Sequence, residues 1–167
     1  MSYAISIDAR LVAQAAELLQ ACRDRGVTLV TAESCTGGLI AATLTAVPGS
    51  SDVVERGFVT YSNASKSEML GVPVWLIERH GAVSEDVARA LAGGALTHSR
   101  ATLALAVTGI AGPDGGSADK PVGLVHFAAG KREGAISHER VLFGDIGRSE
   151  VRRLSVERGL RLICSLL

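Results

Sequence analysis

The sequence predicts a single α/β domain over residues 1–167, in which a mixed sheet lies between helical layers in a three-layer α/β/α arrangement. Three observations favour this fold class. Helical and β-rich segments alternate along the chain, with no linker and no internal repeat between them. Two aliphatic runs, 102–108 and 122–128, are continuous enough to form interior strands. Hydrophobic residues make up 47% of the chain and charged residues 20%, which is typical of one folded domain.

Three signals place the elements of the first half: apolar residues at helical spacing, β-branched runs, and the glycines that end helices. They predict, in order, a helix over 8–25, a strand over 27–31, a helix over 39–46, a β-rich stretch over 53–62 that is interrupted at 56–57, and a short helix over 63–70.

Capping signals place the elements of the second half. Pro73 suits the first helical position of another short helix, and Ser84-Glu85-Asp86 supplies a cap and an acidic first turn for a longer one. The remaining elements follow in order: a helix over 84–99, strands over 102–108, 122–128 and 135–143, and a last helix over 148–166.

The charge balance excludes several function classes. With 17 basic and 17 acidic residues, the formal net charge is zero, which argues against a nucleic-acid partner. No apolar run approaches the roughly 20 residues that span a bilayer, and the charged N-terminal helix is not a signal peptide. The three cysteines are odd in number and irregularly spaced, which fits free thiols in a reducing cytoplasm. The four histidines lack the spacing of metal ligands.

The segment 31–38, Thr-Ala-Glu-Ser-Cys-Thr-Gly-Gly, is the first candidate for chemistry. It joins a strand to a helix, so unpaired backbone N–H groups stand beside hydroxyl and thiol side chains. A nucleophile could therefore lie next to donors for its own oxyanion. The structural alternative is a helix cap with glycines for a tight turn.

Two further segments could face the same edge of the sheet, because ligands of open α/β sheets bind beyond the carboxyl ends of strands. The glycine-dense loop 109–117 could bring its amides close to an anion, or could be an idle surface loop. Tyr61 and Lys66 flank a strand-to-helix junction. A desolvated lysine can act as a base for serine, whereas an exposed one would have no such role.

Six ordered motifs extend these observations over nearly the whole chain. They are TAESCTGG at 31–38, VPGSS at 47–51, TYSNASK at 60–66, HGAVSEDVA at 80–88, AVTGIAGPDGG at 106–116 and KPVGLVHFA at 120–128. Together they resemble the CinA C-terminal domain family, from about residue 8 to residue 165. Family members act as nicotinamide-nucleotide amidohydrolases, and longer CinA proteins carry an additional N-terminal domain, so this chain is similar to the stand-alone form.

The resemblance implies hydrolysis of nicotinamide mononucleotide (NMN) to nicotinic acid mononucleotide and ammonia, in pyridine nucleotide salvage. Ser34 would be the nucleophile and Lys66 its base, with Tyr61 relaying a proton or orienting Lys66. Glu33 would balance the pyridinium charge or act as a structural acceptor. The implied substrate-binding residues are Glu33, Cys35, Thr36, Gly37, Gly38, Asn63, Thr108, Gly109, Gly112, Gly115, Gly116 and Arg148. The family's Gly-Asp-Arg segment corresponds here to 144–148, with two residues inserted before Arg148.

Two alternatives stay open on the sequence. Cys35 adjoins Ser34 and is intrinsically the better nucleophile, so a cysteine-dependent amidase is the nearest rival. A non-catalytic module that binds a nucleotide or a partner in competence or the DNA-damage response is the other. We expect a cytoplasmic protein with a small-molecule substrate, no cofactor, no metal, no nucleic acid and no membrane contact. A homo-oligomer is left open.

Overall fold

The computed structural model describes residues 6–167. Within this range, six α-helices and five strands follow one another, with a single 3₁₀ turn at Ser50–Asp52. The helices are α1 (Ala9–Arg25), α2 (Leu39–Thr45), α3 (Asn63–Leu70), α4 (Val74–His80), α5 (Glu85–Thr97) and α6 (Arg148–Cys164). The strands are β1 (Leu29–Glu33), β2 (Val54–Val59), β3 (Leu103–Gly109), β4 (Leu124–Lys131) and β5 (Ile136–Leu142).

The five strands form one mixed sheet in the order β2-β1-β3-β4-β5. The first three strands of that order run parallel, while β4 pairs antiparallel with both β3 and β5. Helices cover both faces, so the predicted fold class is confirmed. Strands β3 and β4 are buried along almost their whole length, as their aliphatic sequences predict.

Alternate side chains of the strands pack into two separate hydrophobic cores, one on each face of the sheet. Leu103, Leu105 and Phe127 face one side, where α1, α2 and α6 pack with their apolar stripes. Ala104, Ala106 and Ala128 face the other side, against α3, α4 and α5. The small alanines on this second face let α5 lie close to the sheet, since a close approach needs little side-chain volume.

Several boundaries differ from those predicted. Strand β1 begins two residues late because Val27 belongs to the end of α1: its amide donates to Cys22 O, and Gly26 adopts the left-handed conformation of a helix cap. Strand β4 likewise begins at Leu124, whose amide donates to Pro121 O in a turn. Arg56 and Gly57 do not interrupt β2 but pair with β1.

The helix termini differ from their predicted positions by smaller amounts. Pro73 stands just before α4 rather than at its first helical position, α5 ends at Thr97, and α6 ends at Cys164. Ser62 and Ser84 cap α3 and α5 through their side chains, and the cap at Ser84 is the one predicted above.

The parallel half of the sheet determines where the candidate segments meet. Strands β2, β1 and β3 are neighbours that run in one direction, so their carboxyl ends lie at one edge. Beyond that edge lie the turn 34–38, the junction 60–62 and the loop 110–117.

Candidate active site

Lys66 and Ser34 meet beyond the carboxyl ends of β1 and β2. Lys66 lies on the inner face of α3, where it is only 1% exposed, and its Nζ is 3.2 Å from Ser34 Oγ. The side chain is held by two backbone acceptors, Thr60 O at 2.8 Å and Ser62 O at 3.4 Å. Ser34 Oγ and Lys66 Nζ are therefore within direct hydrogen-bond distance, as a nucleophile and its base require.

Burial is the main influence on the protonation of Lys66. Removal from water lowers the pKa of the amine, since the charged form loses its hydration. In the described part of the chain, no carboxylate forms an ion pair with Lys66. Its polar neighbours are two carbonyl oxygens and one hydroxyl, which are compatible with an uncharged amine.

Glu33 is the last residue of β1, and its carboxylate turns back toward the start of α2. It is 1% exposed, and its oxygens accept hydrogen bonds from the amides of Gly38, Ile40 and Ala41 at 3.1, 3.0 and 2.8 Å. These amides are the orphan donors of a helix N-terminus, where a negative charge is also favoured by the helix dipole. Of the two roles considered for Glu33, the structure therefore shows the structural acceptor.

The turn that carries Ser34 holds two amides that interact with the Cys35 sulfur rather than with an oxygen atom. The Ser34 amide continues the sheet by donating to Val107 O at 3.0 Å, and Gly37 and Leu39 donate to carbonyls within the turn. Among the hydrogen bonds of residues 6–167, the amides of Cys35 and Thr36 donate to no oxygen acceptor. They directly follow the Ser34 hydroxyl, which is the place where oxyanion donors are needed.

The environment of Cys35 disfavours its thiolate. The side chain is 6% exposed, and its burial raises the pKa of the thiol to about 12. The nearby carboxylate of Glu33 raises the pKa further, while the neighbouring amides lower it less than burial raises it. Cys35 is therefore a protonated, poorly accessible thiol at neutral pH.

A cavity of about 240 Å³ opens beside Ser34. The turn after β1, the junction after β2, the loop after β3 and the start of α6 each contribute to its wall. The lining residues are Ser34, Cys35, Tyr61, Gly109, Ile110, Ala111, Gly112, Asp114, Gly115 and Arg148. Residues from all three candidate segments thus line one space together with the start of α6, although Lys66 itself is not among the lining residues.

Arg148, the first residue of α6, connects two sides of this cavity. Its guanidinium donates to Gly112 O at 3.0 Å and to Tyr61 Oη at 2.8 Å. Tyr61 is 60% exposed, and its hydroxyl contacts Arg148 rather than Lys66. The two inserted residues before Arg148 therefore leave its side chain within the site.

Seven residues predicted to bind substrate do not line the cavity. Thr108 is buried, with its hydroxyl donating to Ala82 O at 2.8 Å, and Asn63 lines a different hollow between α3 and α4. The others are Glu33, Thr36, Gly37, Gly38 and Gly116. Gly116 instead packs against the Val122 backbone, where a Cβ would lie 2.9 Å from a nitrogen atom. Thr36 contributes its carbonyl oxygen to Arg152.

Sequence reasoning missed the cavity residues Ile110, Ala111 and Asp114, and it missed the carbonyl oxygens of Thr60 and Ser62 that hold Lys66. Asp114 is a charged residue inside a glycine-rich motif, which is a signal that could have singled it out. Backbone acceptors leave no such signal in the sequence.

Within residues 6–167, no group of three or more His, Cys, Asp and Glu side chains is placed to hold a metal ion. No helix in the same part of the chain is both long and apolar enough to span a membrane.

Comparisons with known proteins identify the relatives of this chain. The chain is 46% identical over 157 residues to the nicotinamide-nucleotide amidohydrolase PncC of Escherichia coli strain K12, covering 93% of this chain and 94% of that protein. It is 50% identical over 139 residues to a CinA-like protein of Anaeromyxobacter sp. strain Fw109-5, covering 83% of this chain but 33% of that protein. The chain spans 26% to 35% of the length of three such longer relatives.

A solved structure matches nearly the whole chain. The competence/damage inducible protein CihA from Agrobacterium tumefaciens superimposes with a TM-score of 0.94 at 48% sequence identity, over 99% of each chain. The family model of the CinA C-terminal domain matches residues 12–167. The chain therefore belongs to the CinA C-terminal domain family.

Proposed function

We propose that the protein is an amidohydrolase that converts NMN and water to nicotinic acid mononucleotide and ammonia. The observation that carries the proposal is the buried Lys66 amine, which lies 3.2 Å from Ser34 Oγ and has no carboxylate partner among the described residues. Membership of a family that includes PncC, an enzyme named for this activity, supports the choice of substrate.

The geometry around Lys66 suits a neutral amine. The amine contacts Thr60 O, Ser62 O and Ser34 Oγ, so a neutral amine can donate its two N–H bonds to the carbonyls and keep its remaining tetrahedral position for Ser34 Oγ. In the uncharged amine this position holds the lone pair, which accepts the serine proton. Two backbone carbonyls thereby orient the base as well as anchor it.

The first chemical step is attack on the carboxamide. Ser34 Oγ forms a bond to the carbonyl carbon while its proton passes to Lys66 Nζ, and the carbonyl oxygen becomes an oxyanion. The amides of Cys35 and Thr36 stabilise that oxyanion. When the tetrahedral intermediate collapses, the C–N bond breaks, and the Lys66 ammonium returns its proton to the departing nitrogen, which leaves as ammonia.

The second step regenerates the enzyme. Water attacks the ester that joins Ser34 to the nicotinoyl group, and Lys66 accepts a proton from that water. Collapse of the second tetrahedral intermediate breaks the bond to Ser34 Oγ, which regains its proton from Lys66. The products are nicotinic acid mononucleotide and free enzyme, and no redox partner is required.

Arg148 is the group suited to the 5′-phosphate of the substrate. Its guanidinium lies in the cavity wall, and a phosphate can compete for the N–H groups that now donate to Gly112 O and Tyr61 Oη. The Tyr61 hydroxyl holds Arg148 in place. Backbone amides of the loop that includes Gly112 and Gly115 add neutral donors for the same anion.

Serine is favoured over cysteine because of the thiol's environment. The pKa of Cys35 is raised to about 12, and within residues 6–167 no base forms a hydrogen bond with its sulfur, whereas the Ser34 hydroxyl has Lys66 beside it. A thiol that stays protonated is a weak nucleophile. Cys35 fills space next to Ser34 and supplies its amide.

We also propose that the enzyme acts in the cytoplasm without a nucleic-acid partner. Cys22, Cys35 and Cys164 are free thiols in the structure, as is usual in a reducing compartment. The formal net charge of zero gives no basis for binding a polyanion.

The deciding experiment is an assay of ammonia release by the purified protein over NMN, nicotinamide, nicotinamide riboside and NAD. We expect NMN to be turned over with the highest kcat/KM, and the Ser34→Ala protein to release no ammonia. Failure of the wild-type protein to release ammonia from any of the four compounds would contradict the proposal and favour a non-catalytic binding module.

A further inference from the structure

The charged side chains of the cavity are few and of opposite sign. Of the ten lining residues, only Asp114 and Arg148 carry a formal charge at neutral pH. Arg148 donates to a carbonyl and a hydroxyl oxygen, and neither residue forms an ion pair within the described range 6–167. One small cavity therefore presents an unneutralised carboxylate and an unneutralised guanidinium to a ligand.

Glu33 is not available as a second carboxylate. Its oxygens accept three amide hydrogen bonds at the start of α2, and the side chain is 1% exposed. Moving it toward a ligand would leave those buried amides without acceptors, which is costly. Asp114 is therefore the carboxylate that the cavity itself offers.

A nicotinamide ring joined through nitrogen to ribose has the matching distribution of charge. The ring bears a fixed positive charge because its nitrogen has four bonds, and the 5′-phosphate at the other end is negative. When the ring's carboxamide is placed at Ser34 and the phosphate at Arg148, the ring lies in the cavity whose wall includes Asp114.

We infer that Asp114 recognises the positive charge of the pyridinium ring and makes the site selective for N-ribosylated, cationic nicotinamides over neutral-ring analogues. This inference rests on the proposed function, since it assumes that NMN occupies the cavity. It assigns Asp114 to substrate binding and gives it no part in bond breaking.

The size of the effect follows from the exposure of Asp114. Because the carboxylate is largely in contact with solvent, its attraction for the ring is screened and corresponds to about 0.2–1 kcal/mol, or roughly 1.5- to 5-fold in affinity. The effect on selectivity is therefore modest but measurable. It should weaken at high salt, as attractions between exposed charges do.

The test measures binding in the Ser34→Ala protein, in which turnover does not interfere. Two ligands are compared by calorimetry: NMN, and the 5′-phosphate of ribosylbenzamide, whose ring has the same carboxamide but no charge. Each is titrated into Ser34→Ala protein with and without Asp114→Asn. Asp119→Asn is the matched control, since Asp119 is an exposed aspartate of the same connection that does not line the cavity.

We expect Asp114→Asn to raise the Kd for NMN by about 1.5- to 5-fold and to leave the Kd for the neutral-ring ligand unchanged. The Asp119→Asn change should alter neither. An equal effect of Asp114→Asn on both ligands, or no effect on NMN, would overturn the inference. If the binding pattern holds while the wild-type protein releases no ammonia from NMN, the proposed function alone fails.

Discussion

Lys66 Nζ donates to the carbonyl oxygen of Thr60 at 2.8 Å and lies 3.2 Å from Ser34 Oγ. Thr60 in turn extends the sheet, because its amide donates to Glu33 O at 2.8 Å. The base is thus attached to the same β-structure that carries the nucleophile. Such a connection fixes the two reacting groups relative to each other, since both depend on the register between β1 and β2.

Substitution of the two adjacent candidates distinguishes serine from cysteine chemistry. We expect Ser34→Ala to lower kcat for NMN by several orders of magnitude, because removing a nucleophile abolishes the covalent path. Cys35→Ala should keep a substantial part of the activity, since the buried thiol is protonated at neutral pH. Initial rates of ammonia release and circular dichroism of both variants provide the measurement. An inactive, folded Cys35→Ala protein beside an active Ser34→Ala protein would assign the reaction to the thiol.

The protonation of Lys66 predicts the pH profile. Burial lowers the pKa of this amine, so the neutral base is available at lower pH than for an exposed lysine. We expect kcat/KM to rise with pH through the pKa of Lys66 and then to level off. Lys66→Arg should remove nearly all activity at every pH tested, because a guanidinium does not release its proton.

Lys131→Arg is a suitable control for that profile, since Lys131 is exposed at the end of β4 and does not line the cavity. Its pH–rate curve should match that of the wild-type protein. A Lys66→Arg enzyme that kept the wild-type rising limb would show that another group titrates there.

Glu33 provides a test of fold rather than of chemistry. Its oxygens accept from three amides at the N-terminus of α2, so we expect Glu33→Gln to lower the free energy of unfolding by about 1–3 kcal/mol. At roughly 2–4 °C per kcal/mol, the loss is visible in thermal unfolding. The KM for NMN of the folded variant should stay near the wild-type value. A large rise in KM with unchanged Tm would instead assign Glu33 to the substrate.

Two histidines outside the site make the fold sensitive to acid. His126 is 7% exposed, and its Nδ1 lies 2.9 Å from His138 Nε2, while His138 Nδ1 is 3.4 Å from Glu85. Burial is the largest cause that lowers the pKa of His126 to about 4, and the positive charges of His138, Arg140 and Lys120 add to it. In the native state His126 therefore stays neutral at pH values where an unfolded histidine is charged.

Between pH 6.5 and about 4 the unfolded chain binds more protons at this position, so the free energy of unfolding should fall as pH falls. The contribution of His126 amounts to at most about 3 kcal/mol. We expect the free energy of unfolding of the His126→Gln protein to depend less on pH between 6.5 and about 4 than that of the wild-type protein. Urea unfolding at several pH values provides the measurement. An equally steep dependence in the variant would assign the acid sensitivity to other groups.

The Ser34–Lys66 pair could be predicted from the sequence because Ser34 directly follows β1 and Lys66 lies on the helix that follows β2, and neighbouring parallel strands bring their carboxyl ends together. The orientation of α3, and hence which of its side chains face the site, could not be predicted from the sequence. Lys66 and Leu70 face inward, whereas Asn63 and Ser67 lie on the outer side of the helix. A helix of two turns has too few apolar residues for its periodicity to place Asn63.

The other features of the site that could not be predicted from the sequence depend on contacts formed only in the folded chain. The bond from Arg148 to Tyr61 joins residues 87 positions apart, so its existence depends on the packing of α6 against the sheet. The role of Glu33 depends on amides five to eight residues later, whose direction is fixed only once α2 has formed. In both cases the residue type fits two roles, and only the tertiary structure distinguishes them.

The position of Arg148 predicts that the site distinguishes substrates with a 5′-phosphate from those without one. We expect Arg148→Met to lower kcat/KM for NMN by about 10- to 150-fold, which corresponds to the 1.5–3 kcal/mol of a hydrogen bond to a charged group. The loss should appear mainly in KM, because the 5′-phosphate lies away from the reacting carbonyl. Nicotinamide riboside lacks the phosphate, so its weaker turnover should change far less. Steady-state kinetics with both substrates provide the measurement.

Arg158→Met is the matched control, since Arg158 lies on the same helix and pairs at the surface with Glu139 at 2.6 Å. It should leave both substrates unaffected. Arg148 also braces Tyr61 and Gly112, so a purely structural role would reduce turnover of NMN and nicotinamide riboside equally. A loss confined to NMN therefore identifies Arg148 as the phosphate contact, and an equal loss for both substrates would refute that assignment.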